Sequence, residues 1–184
     1  MAARLLLLDR DGVINEDSAD FIKSPREWFP IPGSLQALGL ARQHGFRILV
    51  VSNQSGLARG LFGLEDLHRI HTRLRQEAQA LGGDVDGFLF CPHGPRQGCS
   101  CRKPQPGLLL AALLRSGTAA ADAVMIGDRA SDLAAARAAG VRPLLVLTGH
   151  GRATAAAQPP SDRVETFDDL AAAVRALCFR ETPP

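Results

Sequence analysis

Residues 4–14 read Arg4-Leu5-Leu6-Leu7-Leu8-Asp9-Arg10-Asp11-Gly12-Val13-Ile14, an apolar run of strand length that breaks at once into two carboxylates two positions apart. Four leucines in a row suit a strand buried on both faces, as in a parallel sheet. Gly12 permits the tight backbone turn that such an exit needs. Stretches 47–51, 87–90, 123–126 and 143–147 have the same short, apolar form. Between two of them, Leu64, Leu67, His71, Leu74, Ala78 and Leu81 step by three and four, which marks one face of a helix. Further helices are predicted over 33–44, 106–116, 131–139 and 167–177, and a surface loop over the Gly-, Ala- and Pro-rich stretch 149–163. Alternation of this kind predicts an α/β protein: a Rossmann-like three-layer α/β/α sandwich with a mostly parallel sheet. One domain over 1–180 is expected, with a short tail at 181–184. Ligands of such sheets bind beyond the carboxyl ends of the strands. Asp9, Ser52, Cys91 and Asp128 stand at those positions in the first four strands.

Composition narrows the function classes. The 184 residues are 46% hydrophobic and 22% charged, enough for one substantial core. A net charge of +2 with no run of Lys or Arg argues against nucleic acid as a partner. No stretch approaches the roughly 20 apolar residues that span a bilayer, and 5–8 is too short for the apolar region of a signal peptide. A cytoplasmic monomer acting on a small molecule, with no membrane partner, is expected.

Cys91, His93, Cys99 and Cys101 form a C-x-H-x5-C-x-C cluster rich in Pro and Gly. Three thiolates and one imidazole suit tetrahedral Zn²⁺, and four protein ligands close the coordination shell, so the expected zinc is structural. A disulfide plus a free thiol, or ordinary loop residues, are the alternatives, and neither explains His93 between the cysteines. The cluster ends at Arg102 and Lys103, so the zinc loop at 91–101 would stiffen the approach to a basic pair.

Further polar groups punctuate the chain. Val51-Ser52-Asn53-Gln54 sets a hydroxyl and two amides after the second strand; Lys103 precedes Pro104 and a helix; Gly127-Asp128-Arg129-Ala130-Ser131-Asp132 places two carboxylates four residues apart across a strand-to-helix turn. This order resembles the haloacid dehalogenase (HAD) superfamily, whose motifs are DxD, Ser or Thr, Lys, and GDxxxD, and the resemblance runs from Asp9 to Asp132. It implies a Mg²⁺ held by Asp9, the backbone carbonyl of Asp11, and Asp128. It implies Asp9 as the nucleophile that forms an aspartyl phosphate, and Asp11 as general acid and then base. Ser52 and Lys103 would stabilise the phosphoryl oxygens, and Asp132 would orient Lys103 or a metal-bound water. An acid at the second DxD position favours phosphatases over dehalogenases. The spacing between motifs leaves room for little beyond one helix and one strand, so no cap domain is expected.

DRDGVIN, SNQSGLARG and CPHG…CSCRKP are similar to the heptose bisphosphate phosphatase family, which serves heptose synthesis for the bacterial lipopolysaccharide core. Histidinol-phosphate phosphatases share the DRDG start, the cysteine cluster and GDRxxD, but differ after NQ, where Ser55 to Gly60 follow the heptose pattern. The resemblance places Asp17, Ser18, Ala19, Asp20, Ser52, Asn53, Gln54 and Ser55 along the sugar, and Arg102 on a second phosphate. It adds Arg129, Lys103 and Arg59 to the substrate contacts. Some relatives carry His-Gly-Tyr where this chain has Ser18-Ala19-Asp20. His44, His68, His71 and His150 read as surface or partly packed residues, Trp28 as packing near Pro30 and Pro32, and Cys178 as core filling.

Overall fold

The computed structural model describes residues 5–179, so the start of the first strand at Arg4 and the 181–184 tail lie outside the described residues. Six strands form a single sheet: β1 (Leu5–Leu8), β2 (Arg47–Asn53), β3 (Gly87–Cys91), β4 (Ala123–Gly127), β5 (Arg142–Val146) and β6 (Glu165–Phe167). Their order is β3-β2-β1-β4-β5-β6, and every pairing is parallel. Among the described residues five helices link successive strands, α1 (Ser34–Gln43), α2 (Leu64–Ala80), α3 (Gly107–Ser116), α4 (Ala130–Ala138) and α5 (Gly151–Ala157), and α6 (Leu170–Phe179) follows β6.

Alternation along β1 divides the core in two. Leu6 and Leu8 turn to one face of the sheet and Leu5 and Leu7 to the other, as the two-residue period of a strand requires. On the first face they meet Ile48 and Val50, Leu35 and Leu38 of α1, Ile70 and Leu74 of α2, and Val174 of α6. On the second they meet Leu49, Val51 and Met125 with Leu109 and Leu113 of α3 and Ala135 and Ala136 of α4. All four β1 leucines are fully buried, which explains why no polar residue interrupts the run. Trp28 is also fully buried, and it joins the first face, where the Arg73 guanidinium sits 5.4 Å above its ring.

Two expectations are corrected. The stretch 149–163 is not a loop throughout: its alanines form α5, bounded by Gly151 and by Pro159 and Pro160. The closing helix starts at Leu170 rather than 167, because Phe167 ends β6, a three-residue strand at the sheet's outer edge. The sheet is parallel throughout, and no inserted domain separates the motifs.

The strand order reverses direction from β1, with β2 and β3 on one side and β4 to β6 on the other. A crevice opens at such a switch point beyond the strand carboxyl ends. Leu8 pairs in register with Val50 and with Ile126, so Asp9 emerges between the ends of β2 and β4, its N–H donating to Ile126 O at 3.0 Å.

Candidate active site

Lys103 is the hub of the crevice. Its Nζ donates to Val51 O (2.7 Å) at the end of β2 and pairs with Asp9 Oδ1 (2.9 Å) and Asp132 Oδ1 (2.7 Å). Three oxygens thus surround the ammonium. Asn53 fixes the lysine's backbone from both sides, donating to Lys103 O (3.0 Å) and accepting from Lys103 N (3.1 Å). The loop after β3 thus delivers Lys103 across the top of β2. Burial works against the charged lysine, but Asp132 and Asp9 outweigh it and hold the proton more firmly than usual.

Asp132 spends both oxygens on structure: Oδ1 on Lys103 and Oδ2 on the Arg129 N–H (3.0 Å), the reach-back of a capping box at the start of α4. Asp128, fully buried, accepts His150 N–H on Oδ2 (2.7 Å), while its Oδ1 is buried with no donor. The backbone crowds this carboxylate closely. A Cβ at Gly12 would come within 2.8 Å of Asp128 Cγ, and one at Gly149 within 2.6 Å of Gly12 Cα; both glycines have positive φ, +82° and +55°. Only glycine fits either place.

Carboxylate oxygens of Asp9, Asp128 and Asp132 lie within 4.8 Å of one another. Asp9 and Asp132 pair with the one ammonium and Asp128 does not, so the three acids and the lysine carry a formal charge of −2 in a buried space. Burial, reinforced by Asp132, Asp128 and Asp11 against the opposition of Lys103, pushes the Asp9 carboxyl well up from its usual range. Burial likewise raises Asp128, to about 6, although the His150 N–H opposes it. An all-oxygen donor set with two units of uncompensated negative charge and an orphaned buried oxygen fits a hard divalent cation.

Asp11 is held apart from this cluster. Arg10, only 1% exposed, grips it through Nε to Oδ1 and Nη2 to Oδ2, both 2.9 Å; Asn15 adds a donor to Oδ1 (2.9 Å) and Gln54 one to Oδ2 (3.2 Å). Burial alone would raise its pKa, but the Arg10 charge and these hydrogen bonds outweigh it and keep the carboxyl below the usual range.

The crevice is a cavity of about 760 Å³. Asp9, Asp11, Asp17, Ser18, Ala19, Asn53, Gln54, Ser55, Arg102, Lys103, Arg129 and Asp132 line it, as do Arg10, Phe21 and His150. Ser52 lies just beneath, buried, its Oγ accepting from Gln54 Nε2 (3.3 Å). Asp20 and Arg59 are outside the lining; both are exposed, and Arg59 reaches the cavity only through the Phe21 ring, 5.4 Å from its guanidinium carbon. Asp128 lies behind the wall. No sequence motif points to Arg10, Asn15 or Gly149 as site residues. His150, expected as surface or partly packed, is half exposed and stands over the cavity, and the same strand-end rule applied to β5 points to Thr148-Gly149-His150. His71 is buried, stacked on Phe88 at 4.1 Å between centroids.

At the cavity's flank, Cys91 Sγ lies 3.5 Å from His93 Nδ1, 3.6 Å from Cys99 Sγ and 3.3 Å from Cys101 Sγ, and Cys101 Sγ lies 3.3 Å from His93 Nδ1. These three cysteines form no disulfide. Arg102 donates to His93 O (3.1 Å), which ties the loop to the cavity rim. Among the described residues, no helix is long and apolar enough to cross a membrane.

Known proteins resemble this chain in sequence and fold. Residues 100–173 match the HAD-hydrolase-like family. The D-glycero-beta-D-manno-heptose-1,7-bisphosphate 7-phosphatase of Pseudomonas aeruginosa is 46% identical over 96% of this chain and 99% of its own. A crystal structure of the D,D-heptose 1,7-bisphosphate phosphatase from Bordetella bronchiseptica, complexed with magnesium and phosphate, superposes with a TM-score of 0.90 at 44% identity, covering 95% of this chain and 97% of that one. The corresponding phosphatase from Burkholderia thailandensis gives 0.76 at 36% identity, covering 96% and 99%.

Proposed function

We propose a function from one premise: this chain belongs to the HAD-like hydrolases, in the family of the D-glycero-β-D-manno-heptose-1,7-bisphosphate 7-phosphatases. On this reading the protein is a Mg²⁺-dependent phosphatase that removes the C7 phosphate of the heptose bisphosphate. The observation that carries it is the trio of buried acids at the switch point, two of them raised in pKa and one with an orphaned oxygen, around a single lysine. A magnesium ion and a bound phosphate in the Bordetella relative support the same assignment.

Asp9, the Asp11 backbone carbonyl and Asp128 are the residues that would hold the ion. When bound, Mg²⁺ cancels the negative charge of the acids and of the arriving phosphate. Asp9 attacks phosphorus; Arg10 N–H (2.8 Å) and Lys103 engage its Oδ1, leaving Oδ2 as the nucleophilic oxygen. Lys103, locked in its charged form, would stabilise the phosphoryl oxygens from the cavity wall, with Ser52 just beneath it. Asp11 gives a proton to the departing sugar oxygen and later takes one from water. An acid must carry its own proton, and a carboxyl surrounded by four donors does not. The working position of Asp11 therefore breaks at least one contact with Arg10, Asn15 or Gln54. Arg102 and Arg129 line the cavity where a second anionic group would sit, beside Asp17 to Ala19 and Asn53 to Ser55 for the sugar. Cavity size and the near-balanced charge favour a sugar phosphate over nucleic acid.

Cys91, His93, Cys99 and Cys101 would hold a structural zinc. Their 3.3–3.6 Å separations approach the ~3.8 Å edge of a tetrahedron with Zn–S bonds of about 2.3 Å.

Phosphate release from the heptose bisphosphate, with histidinol phosphate alongside, tests the reading. The heptose substrate should win by a large factor and lose turnover when EDTA removes Mg²⁺. Preference for histidinol phosphate would overturn the substrate, and turnover indifferent to EDTA would overturn the chemistry.

A further inference from the structure

The chain between β1 and α1 walls the cavity with Asp17, Ser18, Ala19 and Phe21, yet little ties this wall down. Among the described residues, the hydrogen bonds of 17–21 stay local, with one exception: Ser18 N–H to Asp17, Asp20 N–H to Ser18, Phe21 N–H to Ser18, and Lys23 back to Asp20 and Phe21. The exception is Asp17 Oδ2. It accepts from Arg129 Nη2 at 2.6 Å and lies 3.0 Å from His150 Nε2. A carboxylate only accepts, so in this contact the imidazole proton sits on Nε2. The two partners stand on either side of Asp128: Arg129 follows it in sequence, and the His150 N–H holds its Oδ2.

Resting on the phosphatase reading, we propose that His150 is a positioning residue for substrate recognition: through Asp17 it moors the sugar-facing wall to the turn that holds the Asp128 carboxylate. Nothing in the sequence motifs assigns it. Its side chain acts on the wall while its backbone N–H serves the acid, so replacing the side chain cuts the first link and keeps the second. The mooring also steadies the Asp17–Arg129 pair, because without His150 the Asp17 Oδ2 atom keeps Arg129 as its one partner. A sugar bisphosphate, which spans from the nucleophile to this rim, feels the loss; a phosphate ester too short to reach the rim feels it less.

The test compares wild type with His150→Ala, His150→Gln and Asp17→Ala. His150→Ala should raise KM for the heptose bisphosphate about fivefold to tenfold, the loss expected of one partly solvated hydrogen bond to a charged group. The rise in KM should exceed any fall in kcat, and exceed the effect on p-nitrophenyl phosphate at least fivefold. Gln, whose amide nitrogen reaches the Nε2 position, should recover most of it. Adding His150→Ala to Asp17→Ala should cost little more, because Asp17→Ala already removes the His150 bridge along with the Arg129 pair. Hydrogen exchange over residues 16–22 reads the mooring with no substrate present and should speed up in His150→Ala. Unchanged exchange there, equal losses on both substrates, or independent effects in the double variant would each overturn the inference. A wild type that ignores the heptose bisphosphate while the exchange result holds would instead count against the substrate assignment alone.

Discussion

Asp128→Asn separates the cost of the metal site from its benefit. In the metal-free protein Asp128 is fully buried, with a pKa raised from 3.8 to about 6, burial being the main cause. The sign follows from linkage. An acid whose folded pKa is raised keeps more proton than the unfolded chain, so its penalty is absent below about pH 3.8 and complete above about pH 6. At pH 7.5 the ionised carboxylate costs the fold about 3 kcal/mol. Asparagine removes that charge, keeps an oxygen for the His150 N–H, and must find an acceptor for its amide, so the net gain should be about 1–3 kcal/mol. Urea unfolding at pH 7.5 with EDTA should therefore show Asp128→Asn more stable than wild type. Saturating MgCl₂ should stabilise wild type, by about 2.7 kcal/mol at one hundred times Kd, and leave the variant nearly unmoved. Turnover should fall at least 100-fold. A variant less stable than wild type in EDTA, or one still stabilised by magnesium, would refute the charge argument.

His71 predicts a second pH dependence. Burial, helped by the Arg10 charge, lowers its pKa from 6.5 to about 3, so its contribution is intact above about pH 6.5 and lost as pH falls. Between pH 7 and pH 5 this costs roughly 2 kcal/mol, and His71→Phe, which keeps the stack on Phe88, should flatten that part of the pH–stability curve. Cys99→Ser should lower zinc content by elemental analysis and lower Tm by several degrees; zinc-free wild-type protein would end the zinc assignment. Gly149→Ala should destabilise the protein by about 2–4 kcal/mol, from the left-handed backbone (φ +55°) and the close approach to Gly12, with a weaker apparent affinity for Mg²⁺ in activity titrations.

Strong local signals made much of the molecule legible in the sequence. The Leu5–Leu8 run makes a doubly buried strand, and the polar residues at the ends of β1, β2 and β4 announce the crevice, while Cys91 at the end of β3 opens the cysteine cluster beside it. The four residues of the Cys91–Cys101 cluster are near in sequence and converge in space. What the sequence hid has weak local signals. β6 is three residues at the sheet edge and needs no long apolar run. α5 follows Gly149 and Gly151, glycines required by the packing around Asp128 and Val146 O, so their presence disguised a helix as a loop. His150 follows β5 without a neighbouring acid, and its role depends on Asp17, 133 positions away. Arg10 looked like a spacer between two aspartates, and only the fold shows it buried and gripping one of them.

Trapping the phosphoryl group on the enzyme is the sharpest test of the whole scheme. Acid-quenched single turnover with heptose bisphosphate labelled at the C7 phosphate, followed by peptide mapping, should place the label on the peptide bearing Asp9, and Asp9→Asn should carry none. Label on any other residue, or phosphate released at full rate by Asp9→Asn, would contradict the account.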